Sequence, residues 1–282
     1  MKKNIQTFLG FQNKYKKSKA VLFGAGFDST TSFKSGAKFA PQAMREDSWS
    51  LESYSPYQDK DLDDIKLFDS GDLELPYGNT KKTLKIIEQT TSKIIKENKK
   101  PIMIGGEHLV TLGAIQALSK KYHDLHIIHF DAHADLRNSF LGEKLSHATV
   151  LKRIYDIVGD NKIYQFCIRS GTKQEFKWAN KHTILEKFTA STLEERVKDL
   201  THTNIYITID LDVLDPSIFS GTGTVEPGGI SFDYLINCIK IMSQLQNVVG
   251  FDIVELSPHY DQSGVSTSVA CKVLRELAIS VV

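Results

Sequence analysis

Leu125-His-Ile-Ile-His-Phe-Asp131-Ala-His133-Ala-Asp135 is a largely apolar run that ends in a cluster of acids and imidazoles. Its apolar residues do not alternate strictly with polar ones. That pattern suits a strand buried on both faces, as in a parallel sheet covered by helices. Similar runs recur at residues 21–26, 65–68, 101–104, 163–168, 205–209 and 248–254, and 182–185 completes eight. Helix-period segments lie between them. Leu84, Ile87, Ile94 and Ile95 share one face of residues 80–98. Leu235, Ile239, Met242 and Leu245 share one face of 231–245, with Ser231 placed as the cap. Val269, Val273, Leu274 and Leu277 mark a last helix over 264–280. Strands alternating with helices predict βαβ units and a mainly parallel sheet. Eight such units fit an open sheet or a closed barrel, and periodicity does not choose between them. In both architectures a site forms at the C-terminal ends of the strands.

Composition narrows the function. Lys and Arg number 35 against 34 Asp and Glu, a net charge of +1, so no basic excess favours nucleic acid. No apolar run approaches the ~18–20 residues that span a bilayer. The lysine-rich start lacks the apolar stretch of a signal peptide, and the expectation is a cytoplasmic protein with no membrane partner, folded as a single domain over 1–282. Cys167, Cys238 and Cys271 are an odd number, far apart, with apolar neighbours. They read as small buried hydrophobes rather than a disulfide or zinc framework.

Three strand ends carry the chemistry. Pro101-Ile-Met-Ile-Gly-Gly-Glu-His108 closes a buried strand on two glycines and opens a helix at His108. The second is the 125–135 stretch. The third is Thr208-Ile-Asp210-Leu-Asp212-Val-Leu-Asp215-Pro216. In extended chain, residues i, i+2 and i+4 point one way, so Asp131, His133 and Asp135 would share a face, as would Asp210 and Asp212. If these strands are neighbours, the carboxylates repel unless protons or cations neutralise them. The donor set is rich in hard oxygen, holds some nitrogen and no sulfur, and favours Mn²⁺ or a similar ion over structural zinc. Its six side chains exceed the needs of one tetrahedral site and suit a pair of ions ~3.5–4 Å apart, which can lower the pKa of water toward ~7. Asp215, before a proline, reads as a turn residue. His126 and His129 read as buried histidines whose ring nitrogens are satisfied by neighbours.

With these three motifs, Gly221-Thr-Gly-Thr-Val-Glu-Pro-Gly-Gly229 and Val254-Glu255-Leu-Ser-Pro258, the chain resembles the ureohydrolase family of arginases, agmatinases and relatives. The likeness runs from about Gly24 to the final helix. It implies an open three-layer α/β/α sandwich around a mainly parallel eight-stranded sheet, and two Mn²⁺ ions per chain. The positions that match one ion's ligands are His108, Asp131, Asp135 and Asp210. Those that match the other's are Asp131, His133, Asp210 and Asp212. His147 matches a proton-carrying histidine, and Glu255 matches the acid that grips a guanidinium. Asp135 is expected to orient the nucleophile as well. The resemblance also suggests a homo-oligomer, a trimer or hexamer.

Within that family the surroundings look closest to the agmatinases. Ile168-Arg169 is followed by Ser170-Gly171-Thr172, not by the acidic segment of arginases. Val225 and Ala148 are mild departures that bear on pocket shape. The implied reaction is hydroxide attack on the guanidinium carbon of a small cationic substrate, agmatine, giving putrescine and urea. A net negative site matches a dication better than arginine, whose carboxylate needs a donor of its own. Arginine, a guanidino acid and formiminoglutamate are the alternatives.

Overall fold

The computed structural model describes residues 1–2 and 4–282. Its strands are β1 (Ala20–Ala25), β2 (Leu67–Asp72), β3 (Lys100–Gly105), β4 (Leu125–Phe130), β5 (Ile163–Ile168), β6 (Ile184–Lys187), β7 (Asn204–Asp210) and β8 (Val248–Val254). They pair in parallel in the order β2-β1-β3-β8-β7-β4-β5-β6. Among the described residues the two ends of that order do not pair with each other, so the sheet is open. A two-residue antiparallel pairing of Tyr54–Ser55 with Lys60–Asp61 stands apart from it.

Helices cover both faces. α1 (Ala40–Asp47), α6 (Leu193–Leu200), α7 (Phe232–Met242) and α8 (Val265–Val281) bury their apolar residues in one core. α2 (Thr80–Lys96), α3 (Thr111–Lys121), α4 (Val150–Val158) and α5 (Lys173–His182) bury theirs in the other. Each strand feeds both cores by alternation: Leu22 enters the first, and Val21 and Phe23 enter the second. This two-sided burial is why the strands read as near-continuous apolar runs.

All eight expected strands are present, with ends moved by one or a few residues. The run at 182–185 is displaced in register. His182 is the last residue of α5, and Thr183 caps it by donating its N–H to the Ala179 carbonyl, so β6 begins at Ile184. The predicted helix faces are buried, with Val269 only partly so. Ser231 caps α7 by accepting from Tyr234 N at 3.2 Å. The three cysteines are free, buried thiols. Among the described residues, no helix is long and apolar enough to cross a membrane.

The sheet edge at β6 is tied down by one carboxylate. Glu186 accepts from Thr189 Oγ1 at 2.5 Å, Ser191 Oγ at 2.7 Å, Thr192 N at 3.0 Å and Thr192 Oγ1 at 2.6 Å, which anchors the start of α6. Burial works to raise its pKa, but these donors outweigh it and hold the carboxyl at about 2. The folded value lies below the unfolded ~4.3, so the associated stability is present above that pH and is lost as pH falls toward 2. Glu186→Gln should therefore cost about 1 kcal/mol at pH 7, discounted for its partial exposure. Urea unfolding at pH 7 and pH 3 checks this, and a deficit that fails to shrink at pH 3 contradicts it.

Candidate active site

The C-terminal ends of β3, β8, β7 and β4 are consecutive in the sheet. In the β4–β7 ladder, His129 lies beside Thr208 and Phe130 beside Ile209, so Asp131 and Asp210 leave the sheet side by side. Val254 pairs with Asp210, which brings Glu255 out next to them. Ile104 pairs with Ile253, which sends the Gly105–His108 turn to the same place. From β3 to β4 the chain crosses over β8 and β7, and such a switch in strand order opens a ligand crevice.

The acidic motifs converge as expected, but not in extended chain. Asp135 has φ +53°, in the left-handed region, so it departs from the face set by Asp131 and His133. Asp212 lies in a single 3₁₀ turn, Leu211–Val213. In both motifs the first aspartate accepts the N–H two residues on: Asp131 Oδ1 from His133 N at 2.5 Å, and Asp210 Oδ1 from Asp212 N at 2.9 Å. These Asx turns fold residue i+2 back beside residue i, which strand periodicity cannot foresee. Asp212 Oδ1 ties the two turns together by accepting Ala132 N at 3.1 Å.

Around His108 the electrostatics ask for a cation. Its Nδ1 lies 3.1 Å from Asp131 Oδ2, 3.2 Å from Asp210 Oδ2 and 3.4 Å from Asp135 Oδ2, yet it is buried and makes no directed hydrogen bond. Its Nε2 is 3.0 Å from Thr208 Oγ1, whose own proton goes to Asp252 Oδ1 at 2.6 Å. Thr208 must therefore accept from Nε2–H, so in a neutral ring the Nδ1 lone pair would face three carboxylates. Lone pairs converging in a dry site repel unless a cation sits among them. In the metal-free protein, burial opposes charge on this ring, but Asp131 and Asp210 outweigh it and hold its pKa well above the ordinary histidine value. Burial raises the Asp135 and Asp210 carboxyls well above the carboxylate range, and neighbouring aspartates add to it.

A second donor group adjoins the first. His133 Nδ1 is 3.0 Å from Asp212 Oδ2 and 3.4 Å from Asp131 Oδ1. The trio Asp131, His133 and Asp212 has metal-holding geometry, as does His108 with His129 and Asp131. His129 is no free donor, however. Gln165 Nε2 donates to its Nδ1 at 3.1 Å, so Nε2 carries the proton and gives it to Asp131 Oδ2 at 2.9 Å. It is the satisfied, buried histidine expected. His126 is not: Nε2 reaches Asp124 at 3.3 Å and its ring stacks on Tyr164, but Nδ1 has no partner. Asp215 is a turn residue, accepting from Ser217, Gly228 and Gly229 N–H groups.

The cluster opens into a cavity of about 320 Å³, whose lining includes His133, Asp135, Asp210, His147 and Glu255. Glu255 is buried and held at φ +66°, with Oε1 accepting from His108 N at 2.8 Å. Strained backbone of this kind collects at functional sites. Without metal or substrate, burial pushes its carboxyl up to about 8 and Glu107 and Asp212 reinforce the shift, whereas a guanidinium beside it would favour the carboxylate. His147 also lines the cavity, with Nδ1 3.3 Å from Ser146 Oγ and nearer, at 3.0 Å, to the Thr30 carbonyl, which has no proton to give. Nδ1 therefore carries the proton, and the Nε2 lone pair faces Ser32 Oγ at 3.3 Å. Burial lowers the His147 pKa, so the ring is neutral at pH 7.

The sequence model of the Arginase family matches residues 18–280. The chain belongs to the arginase family. This ureohydrolase is 43% identical to the agmatinase of Bacillus cereus over 277 residues, 97% of this chain and 96% of that one. A Clostridium difficile crystal structure superposes with a TM-score of 0.93 at 55% identity, covering 95% of this chain and 98% of the other. The agmatine ureohydrolase of Thermoplasma volcanium superposes at 0.88 and 32% identity, covering 98% and 94%. The arginase family is metal-dependent, and this ureohydrolase has a His/Asp cluster that could bind metal.

Sequence reasoning missed several supporting residues of the ureohydrolase site. Asp252 is a carboxylate inside an apolar strand, a pattern that by itself flags a buried acceptor. Arg137 lines the cavity over the Phe140 ring at 4.8 Å, and nothing in its spacing announced this. Arg169 bridges the Asp212–Leu214 and Glu226–Pro227 carbonyls, which pins the glycine-rich loop to the second acidic turn.

Proposed function

We propose that the chain is a single-domain agmatinase that hydrolyses agmatine to putrescine and urea with two Mn²⁺ ions per chain. The observation that carries this reading is the juxtaposition of His108 Nδ1 with Asp131, Asp135 and Asp210 beside a cavity that Asp135, Asp210, Glu255 and His147 line. The assignment of ligands is the one the motifs imply. His108, Asp131, Asp135 and Asp210 would hold one ion, and Asp131, His133, Asp210 and Asp212 the other, with Asp131 and Asp210 shared. When bound, the ions supply a hydroxide equivalent at neutral pH by lowering the pKa of water.

The protein's own groups do the rest. Glu255 accepts charge-assisted hydrogen bonds from the guanidinium N–H groups and sets the carbon above the floor of the cavity. Asp135 accepts a proton-bearing donor there and fixes the direction of attack. His147 holds its Nε2 lone pair toward the cavity. That nitrogen takes up a proton and returns it to the departing primary amine, so putrescine leaves protonated and urea remains. Water adds across one C–N bond, and no other reactant is consumed.

One observation speaks to a second reading. Arg137 places a cation at the cavity wall, which suits the carboxylate of arginine or a guanidino acid. Its guanidinium, however, lies over Phe140 with Nε 3.7 Å from Glu175 Oε2, so part of its charge is already balanced there. A urea-release assay with added Mn²⁺ across agmatine, arginine and guanidinobutyrate separates the readings. Agmatine is expected to give a kcat/KM at least about tenfold above the others, the scale of one lost or gained polar contact. Turnover confined to a guanidino acid would move the assignment to that substrate, and in a parallel assay formamide release from formiminoglutamate would move it outside urea chemistry.

A further inference from the structure

Glu107 sits between the glycines that end β3 and His108, fully buried, and it does not line the cavity. Its carboxylate is taken up by the loop after β1. Thr30 N donates to Oε2 at 2.9 Å, Thr30 Oγ1 to Oε1 at 2.6 Å and Thr31 Oγ1 to Oε2 at 3.2 Å. The two backbones are joined as well: Glu107 N donates to the Phe27 carbonyl at 2.8 Å, and a Cβ on Gly106 would lie 1.9 Å from that same oxygen. Only glycine allows this approach.

The same loop holds His147 at two points. The Thr30 carbonyl accepts from Nδ1, and Thr30 Oγ1, whose proton is committed to Glu107, accepts from His147 N at 3.1 Å. Hydrogen-bond direction is thus fixed along the chain Glu107, Thr30, His147. A carboxylate suits the first place because it accepts from three donors at once and offers none, whereas an amide would set an N–H₂ against a donor.

We infer that Glu107 is a positioning residue: acting through Thr30, it sets the placement of the His147 ring. This rests on the reading of His147 as the proton carrier. In the Mn²⁺-loaded enzyme, Glu107→Gln should lower kcat roughly 10–100-fold, within the range assigned to misplaced proton-transfer groups, and leave KM within about twofold. Bound manganese should equal wild type, because a loss would mean that the variant acts through the neighbouring His108 and would overturn the inference. Combining Glu107→Gln with His147→Asn should add less than about twofold to the loss of His147→Asn alone, whereas independent, multiplying losses would refute it. Thr30→Val keeps the backbone contacts but removes the linking hydroxyl, so it should reproduce the kcat loss even if Glu107→Gln folds poorly. Wild-type kcat in Thr30→Val counts against the inference. A crystal structure of the loaded Glu107→Gln variant provides a readout free of substrate: Nδ1 of His147 should leave hydrogen-bond distance of the Thr30 carbonyl. An unmoved ring refutes the positioning role. If the wild type turned over no guanidine substrate, the proposed function would fail while this structural arm still reported on Glu107.

Discussion

Asp210→Asn is expected to abolish turnover and metal binding together, with activity falling by at least about 10³-fold and no manganese retained after desalting. Asp210 ends β7 with both oxygens committed to different tasks. Oδ1 accepts Asp212 N at 2.9 Å and shapes the turn, while Oδ2 points at His108 Nδ1 from 3.2 Å. Asparagine can keep the first task through its carbonyl. It replaces the second oxygen with an N–H₂ that cannot ligate and removes a charge shared by both proposed ions. The fold should survive, since the variant removes a charge that burial disfavours and that neighbouring aspartates repel. Thermal melting distinguishes this from simple unfolding. Saturating Mn²⁺ at ~100 Kd stabilises a binder by about 2.7 kcal/mol, which for a chain of this size raises Tm by roughly 5 °C. Wild type should show that rise and lose it on chelation, and Asp210→Asn should show neither. A variant that kept two bound Mn²⁺ and wild-type turnover would sink the ligand assignment.

The sheet was legible because a parallel strand buried on both faces must be apolar along its length, and eight such runs mark eight strands. β6 was the least legible. It is an edge strand carrying Glu186 and Lys187, and His182 before it belongs to a helix end whose cap is the unremarkable Thr183. Convergence of the acidic motifs was expected on the condition that their strands are neighbours, which the strand order meets, but their local shape was not. Extended spacing predicts one face for Asp131, His133 and Asp135, yet side-chain-to-backbone bonds within Asp-x-His and Asp-x-Asp turn the chain at once. The choice of open sheet over barrel lay outside periodicity altogether and depended on family likeness, later matched by the strand order. Supporting groups were hidden because their partners are distant in sequence. Glu107 meets Thr30 across 77 positions, and Thr208 meets Asp252 across 44. No local pattern encodes such pairs.

Glu255→Gln should separate substrate grip from metal binding. The carboxylate is buried at the end of β8 in a left-handed conformation, and Oε1 accepts His108 N at 2.8 Å. Glutamine can retain that contact with its carbonyl, so the turn carrying His108 should hold and bound manganese should match wild type. What it loses is the charge and one acceptor that face the guanidinium. Hydrogen bonds between charged partners contribute about 1.5–3 kcal/mol each, and the replacement amide presents a donor to a donor, which adds a desolvation cost. A total of about 3–5 kcal/mol corresponds to a fall in kcat/KM of roughly 10²–10⁴-fold. If Glu255 only binds, the loss appears mainly in KM. If it also holds the carbon in line for attack, kcat falls with it, and the buried geometry favours that shared loss. Steady-state urea release at several agmatine concentrations, alongside metal analysis of the same samples, reads both quantities. A kcat/KM within tenfold of wild type at full manganese content would remove Glu255 from the guanidinium and require another anion, with Asp135 a candidate in the same cavity lining.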